Sequence, residues 1–284
     1  MSAPTAHCGS RLHTGSARSP VAKSQCGMRP QHETRGRRQT RLVATMRTDG
    51  KRRNMTSLDI DMGNTRTKWR LDRSVGALPS PQLPDLNVAP SRVRVATVLR
   101  NRDVLARTIA DRYGVRPEFA TTAHELAGVQ CGYANPDRLG VDRWLAVVAA
   151  WRCCAGPAIV ISVGTAATAD FVDANGRHEG GHIAPGLRLL RVALDRETAD
   201  VRAKGWIRPC TLPGTDTEAA VASGTFLMLL AFAEAAVKGF AARHGYGAEV
   251  FLTGGDADLL AERLSVPVRC EPHLVLDGLE IALP

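Results

Sequence analysis

No stretch of about 18 consecutive apolar residues occurs in the 284-residue chain, so no membrane-spanning helix is expected. No two cysteines form a C-x-x-C pair. The seven cysteines (Cys8, Cys26, Cys131, Cys153, Cys154, Cys210 and Cys270) are odd in number, so neither a disulfide framework nor a zinc site is expected. The expectation is reduced thiols in a cytoplasmic protein, with the adjacent Cys153 and Cys154 packed at the end of an apolar helix. A net positive charge is also missing from most of the chain. The total of +9 arises within residues 1–54, which hold twelve Lys/Arg against Glu33 and Asp49. The remaining 230 residues carry 25 basic and 26 acidic groups. A nucleic-acid footprint needs a basic folded surface, so no nucleic-acid partner is expected.

What is present has the composition of a globular protein, 44% apolar and 23% charged, and is long enough for one large domain or two modest ones. Residues 1–54 have almost no apolar periodicity and cannot bury enough surface to offset their ordering entropy. Disorder is expected there. Three readings stand: a transit-like peptide, a basic interaction arm, or a start placed upstream of Met46 or Met55. From Ser57 the pattern changes. Residues 57–62 alternate as a strand, Gly63-Asn64 turns the chain, and Thr65 to Leu71 returns as a second strand. A Pro-rich loop is expected at 78–90, strands at 93–98 and 115–120, and helices at 102–113 and 139–153. Further strands follow at 158–163 and 166–172, a helix at 185–197, a long Ala-rich helix at 217–244, a strand at 249–252 and a short helix at 256–264.

A weak repeat links two of these hairpins. Asp61-Met62-Gly63-Asn64-Thr65 between strands is echoed about 100 residues on by Ser162-Val163-Gly164-Thr165-Ala166. The repeat predicts an α/β protein of two facing mixed-sheet halves, residues 55–157 and 158–284, with a cleft between them.

A glycine at a hairpin tip lets backbone N–H groups approach phosphate oxygens, and a threonine hydroxyl can donate to the same atoms. Asp61 at a strand end can hold Mg²⁺, and Lys68 can meet a phosphate as a point charge. An ordinary Asn-Gly hairpin reads the same way locally. Asp142 in Gly140-Val141-Asp142-Arg143-Trp144 opens the apolar helix; it is either a first-turn acid favoured by the helix dipole or a general base for a substrate hydroxyl. Gly180-Gly181-His182-Ile183-Ala184-Pro185-Gly186 allows close backbone approach, and His182 reads as structural more readily than as an acid or base. Thr253-Gly254-Gly255-Asp256 either covers a nucleoside or turns the chain.

Taken in order and spacing, Asp61–Lys68 (DMGNTRTK), Gly132–Trp144 (GYANPDRLGVDRW), Gly164–Asp170 (GTAATAD) and Gly180–Gly186 (GGHIAPG) resemble the type III pantothenate kinases, from about Ser57 to the end of the chain. The resemblance implies the duplicated ribonuclease-H-like fold of the actin and hexokinase type. It implies ATP-dependent phosphorylation of pantothenate, with Asp142 as base. Asp61, Met62, Gly63, Asn64, Thr65, Arg66, Thr67 and Lys68 would form the first phosphate loop, and Thr165 would touch ATP from the second. Tyr133, Gly140, Val141, Arg143 and Thr217 would line the pantothenate pocket, completed near the interface of a homodimer. Mg²⁺ and a monovalent cation (K⁺ or NH₄⁺) are implied as cofactors. Many members have an acid where this chain has Ser162, and a neutral hydroxyl is a weaker cation ligand; Asp170 is a candidate to compensate. Three other readings compete: a sugar kinase of the same fold, a non-catalytic regulatory protein built on it, and a nucleic-acid binder acting through residues 1–54.

Overall fold

A computed structural model describes residues 56–199, 201 and 208–284. The disorder expected of residues 1–54 lies outside the described residues. The chain alternates between strands and helices and builds two five-stranded sheets. In the first, β1 (Ser57–Met62), β2 (Arg66–Leu71) and β3 (Ser74–Pro79) form an antiparallel meander. β4 (Arg92–Thr97) then pairs parallel to β1, and the two-residue β5 (Glu118–Phe119) pairs parallel to β4, giving the order β3-β2-β1-β4-β5. The crossover between β4 and β5 is α1 (Arg102–Tyr113). It buries Leu105 and Ile109 one turn apart and stops at Gly114 in the left-handed region.

A small hairpin, β6 (Glu125–Leu126) with β7 (Val129–Gln130), leads to α2 (Val141–Cys154). The second sheet then repeats the first. β8 (Ala158–Val163), β9 (Ala166–Val172) and β10 (His178–Pro185) are antiparallel, while β11 (Glu249–Thr253) and β12 (Arg269–Cys270) add in parallel, giving β10-β9-β8-β11-β12. The same strand order with the same strand senses occurs twice, which gives the two mixed-sheet halves expected from the repeat and the duplicated ribonuclease-H-like topology implied by the resemblance. Between β10 and β11 lie α3 (Leu187–Glu197) and α4 (Thr217–His244); α5 (Ala257–Ala261) precedes β12, and α6 (Leu274–Ala282) follows it.

Helix α4 is long and apolar enough to cross a membrane by length and composition. Ser223, Gly224, Thr225 and Glu234 interrupt its apolar run, so it holds no unbroken stretch of the length named above. Its stripe of Phe226, Leu229, Ala233, Ala236 and Phe240 packs into the core beneath the second sheet, with Ile159, Ile161, Phe171 and Leu252. It is a core helix of the second half.

Several elements differ from the sequence expectation: the strand expected at 115–120 is only Glu118–Phe119, the helix expected at 256–264 is Ala257–Ala261, and the short strands β6, β7 and β12 were not expected. The glycine-rich segment before α3 is strand β10, and Pro185 and Gly186 move the helix start to Leu187. The loop at 78–90 begins later, because Ser74–Pro79 adds strand β3. The last helix, α6, belongs by position to the second half yet packs on the first. It lies against α2, β1 and β4. Arg70 donates to Asp277 Oδ1 (2.5 Å) and to the Leu276 carbonyl (2.8 Å), and Arg94 donates to the Leu283 carbonyl (2.7 Å).

Helices α2 and α6 meet at Gly278, where a built Cβ would lie 2.1 Å from the Leu145 carbonyl oxygen. Only a residue without a side chain permits that approach. Gly278→Ala should therefore destabilise the fold by about 1–3 kcal/mol, read as a lower urea midpoint at unchanged m-value. An unchanged midpoint would show that the helices separate without cost.

Candidate active site

The two glycine hairpins face each other across a cleft of about 470 Å³. In the first, Gly63 N donates to Arg66 O (3.1 Å); in the second, Gly164 N donates to Ala166 O (2.9 Å). Thr65 Oγ1 and Thr165 Oγ1, one from each hairpin, share a hydrogen bond of 2.5 Å. Gly63, Asn64, Thr65, Arg66 and Lys68 line the cleft from one side and Gly164 and Thr165 from the other.

Strand alternation sorts the first motif. Leu58, Ile60 and Met62 point into the core of the first half, so Asp61 points the other way, into the cleft. Met62 and Thr67, expected at the ATP site, are buried and do not line the cleft. Only their backbone is available to a ligand, because the motif runs along strands whose side chains change face at each residue. Lys68 is the cross-strand partner of Asp61, and its Nζ donates to the Pro272 carbonyl (2.9 Å).

Asp142 stands in the first turn of α2, where its Oδ1 accepts from Arg143 N (2.9 Å). A Cβ at Gly140 would come within 2.6 Å of that oxygen, so Gly140 leaves the space Asp142 occupies. Gly140 itself and the buried Val141 do not line the cleft; neither does Thr217, exposed at the start of α4. Burial pushes the Asp61 carboxyl up to about 7, the Lys68 charge opposes this, and the like charge of Asp142 adds to it. Burial likewise raises Asp142, against the Arg143 N–H and charge, and lowers Lys68. Two carboxyl groups that resist ionisation next to a poorly solvated ammonium are the electrostatics of a site built to receive charge.

A buried network backs the floor. Arg143 holds both oxygens of Asp170 (2.9 and 2.6 Å), and its Nη1 donates to Tyr133 Oη (3.1 Å). His178 Nε2 also meets Asp170 Oδ1 (3.1 Å), and the His178 ring stacks on Tyr133. Burial works against the Arg143 charge, but the bonds and charge of Asp170 outweigh it and hold the guanidinium above its ordinary range. The network connects Tyr133, which does not line the cleft, to Arg143, which does. His178 escaped the sequence reading, because its partner is set by the β9–β10 pairing and not by spacing. His182, two strand positions past Gly180, is exposed and edge-on to Phe171. Thr253, Gly254, Gly255 and Asp256 all line the cleft, and Ser162 lies on its second-sheet side.

The family described as type III pantothenate kinase matches residues 72–239. A type III pantothenate kinase of Azotobacter vinelandii is 38% identical over 247 residues, covering 80% of this chain and 98% of that protein. One of Pseudomonas putida is 36% identical over 246 residues, with the same coverage. Among solved structures, a ROK family glucokinase from Streptomyces griseus in complex with glucose and AMPPNP aligns at a TM-score of 0.42. The identity is 13%, over 79% of this chain and 97% of that one.

Proposed function

The chain belongs to the type III pantothenate kinase family, and on that premise we propose that it transfers the γ-phosphoryl group of ATP to the primary hydroxyl of pantothenate. The products are ADP and 4′-phosphopantothenate, the first step towards coenzyme A. The observation that carries the reading is Asp142. It lines the cleft between two glycine hairpins, its backbone-held carboxyl raised by burial.

In the reaction the pantothenate hydroxyl oxygen bonds to the γ-phosphorus, the bond from that phosphorus to the ADP oxygen breaks, and the hydroxyl proton passes to Asp142. A carboxylate whose proton affinity is raised is a better base for that transfer. The rest of the chemistry is positioning and charge neutralisation. The backbone of Asp61–Lys68 and the hydroxyls of Thr65 and Thr165 receive the phosphates, with Arg66 and Lys68 supplying charge. Arg143, fixed by Asp170, and Tyr133, fixed by Arg143, orient pantothenate. Gly140 and Val141 shape the start of α2 beneath it.

Mg²⁺ is the divalent ion of such kinases, and the cleft suits it. Asp61 offers a hard oxygen donor, and a proton held up to about 7 is one a metal can displace. When bound it would neutralise phosphate charge. The reading goes with a cytoplasmic homodimer. Leu227 and Met228 are 43% and 61% exposed on α4, the helix that begins at Thr217, and a second copy over that helix would cover them and bring Thr217 towards a shared pocket.

Coupled measurement of ADP release tests the proposal. Release should depend on added pantothenate and be absent with a hexose in its place. Hexose-dependent release without pantothenate turnover would assign the site to a sugar, and no release with either would remove the kinase reading.

A further inference from the structure

Three hydroxyl residues stand side by side on the second sheet. Thr168 on β9 is in register with Ser162 on β8, and Ser162 with Thr253 on β11. All three line the cleft, so their side chains form one row across neighbouring strands. Thr253 is 2% exposed and its Oγ1 has no hydrogen-bond partner. A buried hydroxyl left unpaired beside a cleft is costly unless a ligand completes it.

This row occupies the place where the family resemblance implies a monovalent cation, and the residues present do not fit one. The row carries no charge. The adjacent carboxylate, Asp170, cannot stand in for a missing acid, because Arg143 takes both its oxygens and His178 meets one of them again. Among the described residues no cluster of three His, Cys, Asp or Glu suited to a metal ion is found.

An exposed arginine lines the same cleft instead. Arg188 lies in the first turn of α3, which holds no acidic residue. Gly186, the residue before α3, donates its N–H to Thr165 O (3.0 Å), pinning this end of the helix to the second hairpin. A basic residue in a first turn works against the helix dipole, so its position is not one that helix stability selects. No ion pair joins Arg188 to a carboxylate among the described residues.

We propose that Arg188 is a tethered replacement for the monovalent cation: its guanidinium and the Thr253 hydroxyl engage the nucleotide phosphates at the second hairpin, and phosphoryl transfer needs no K⁺ or NH₄⁺. A guanidinium keeps its charge at any working pH and presents several donors to phosphate oxygens. The inference rests on the kinase reading above.

The test uses the full chain in tetramethylammonium, Na⁺, K⁺ and NH₄⁺ buffers of equal ionic strength. Pantothenate-dependent ADP release and calorimetric titration with ATP–Mg²⁺ are measured for the wild type, Arg188→Gln, Arg188→Lys and Arg188→Gln combined with Ser162→Asp. Wild-type turnover should vary by less than about twofold among the cations. Arg188→Gln should lose about 10²-fold in turnover, the size expected for removing one charge-stabilising donor. Arg188→Lys should recover part of it, and the Ser162→Asp double variant should recover activity in K⁺ only. Wild-type activation of about tenfold or more by K⁺ would overturn the proposal, as would Arg188→Gln turnover close to wild type in tetramethylammonium. The titrations separate this outcome from failure of the kinase reading. Without pantothenate turnover in any buffer the substrate assignment falls, while ATP affinity still reports on Arg188: weaker binding in Arg188→Gln, indifferent to K⁺, supports its role, and unchanged binding removes it.

Discussion

Asp142→Asn should lower pantothenate turnover by about 10²–10⁴-fold, the range for loss of a positioned general base. The amide keeps an oxygen for the Arg143 N–H that now bonds Asp142 Oδ1, so the start of α2 should hold and the melting temperature should stay near that of the wild type. ATP affinity should survive as well, because the proton acceptor and the phosphate loops are separate groups. The loss should therefore appear in kcat and not in ATP binding. The pH profile gives an independent reading. Burial raises the Asp142 carboxyl, so the base is lost to protonation at a higher pH than an exposed aspartate would be. Turnover should fall on the acid side, with its limb displaced above the ordinary carboxylate range. A mutant within about tenfold of wild type would leave Asp142 as a first-turn acid only.

The largest stability effect is expected from Asp59→Ala. Asp59 is 2% exposed and accepts from two arginines, Arg94 (2.6 and 3.1 Å) and Arg70 (3.2 Å twice). Arg70 has other partners on α6, but Arg94 is buried and has no other carboxylate among the described residues. Removing Asp59 leaves that guanidinium uncompensated, a loss of about 3–5 kcal/mol. Urea unfolding should show it as a large drop in midpoint. Asp59→Leu combined with Arg94→Met should return much of the loss, since the cost lies in the stranded charge. A single mutant as stable as the wild type would mean that water reaches Arg94.

Both glycine hairpins were legible because each sets a turn between two alternating strands, a local signal. The bounds of α1 and α4 were legible too, since Gly114 and Gly245 stop them in left-handed backbone. Strand β10 was not. Its Gly180-Gly181 pair shows no alternation, and its strand character comes from pairing with β9. Helix α6 was missed because it is nine residues long and finds its partners in the other half of the chain. In the site, Asp61, Asp142, Thr65, Thr165 and Ser162 could be read from motif spacing. Met62 and Thr67 offer the cleft no side chain, since a motif treats consecutive residues alike and a strand does not. Asp170, His178 and Arg143 join only through sheet pairing and helix placement, which no spacing in the chain encodes.

The hydrogen bond between Thr65 and Thr165 alters how ligand contacts in this cleft convert into affinity. Each hydroxyl already has the other as its partner. An incoming phosphate must exchange a bond here, and exchange returns far less than completing an unpaired group. The same bond ties the two sheets together across the cleft. A phosphate that takes both hydroxyls must therefore break the link between the sheets.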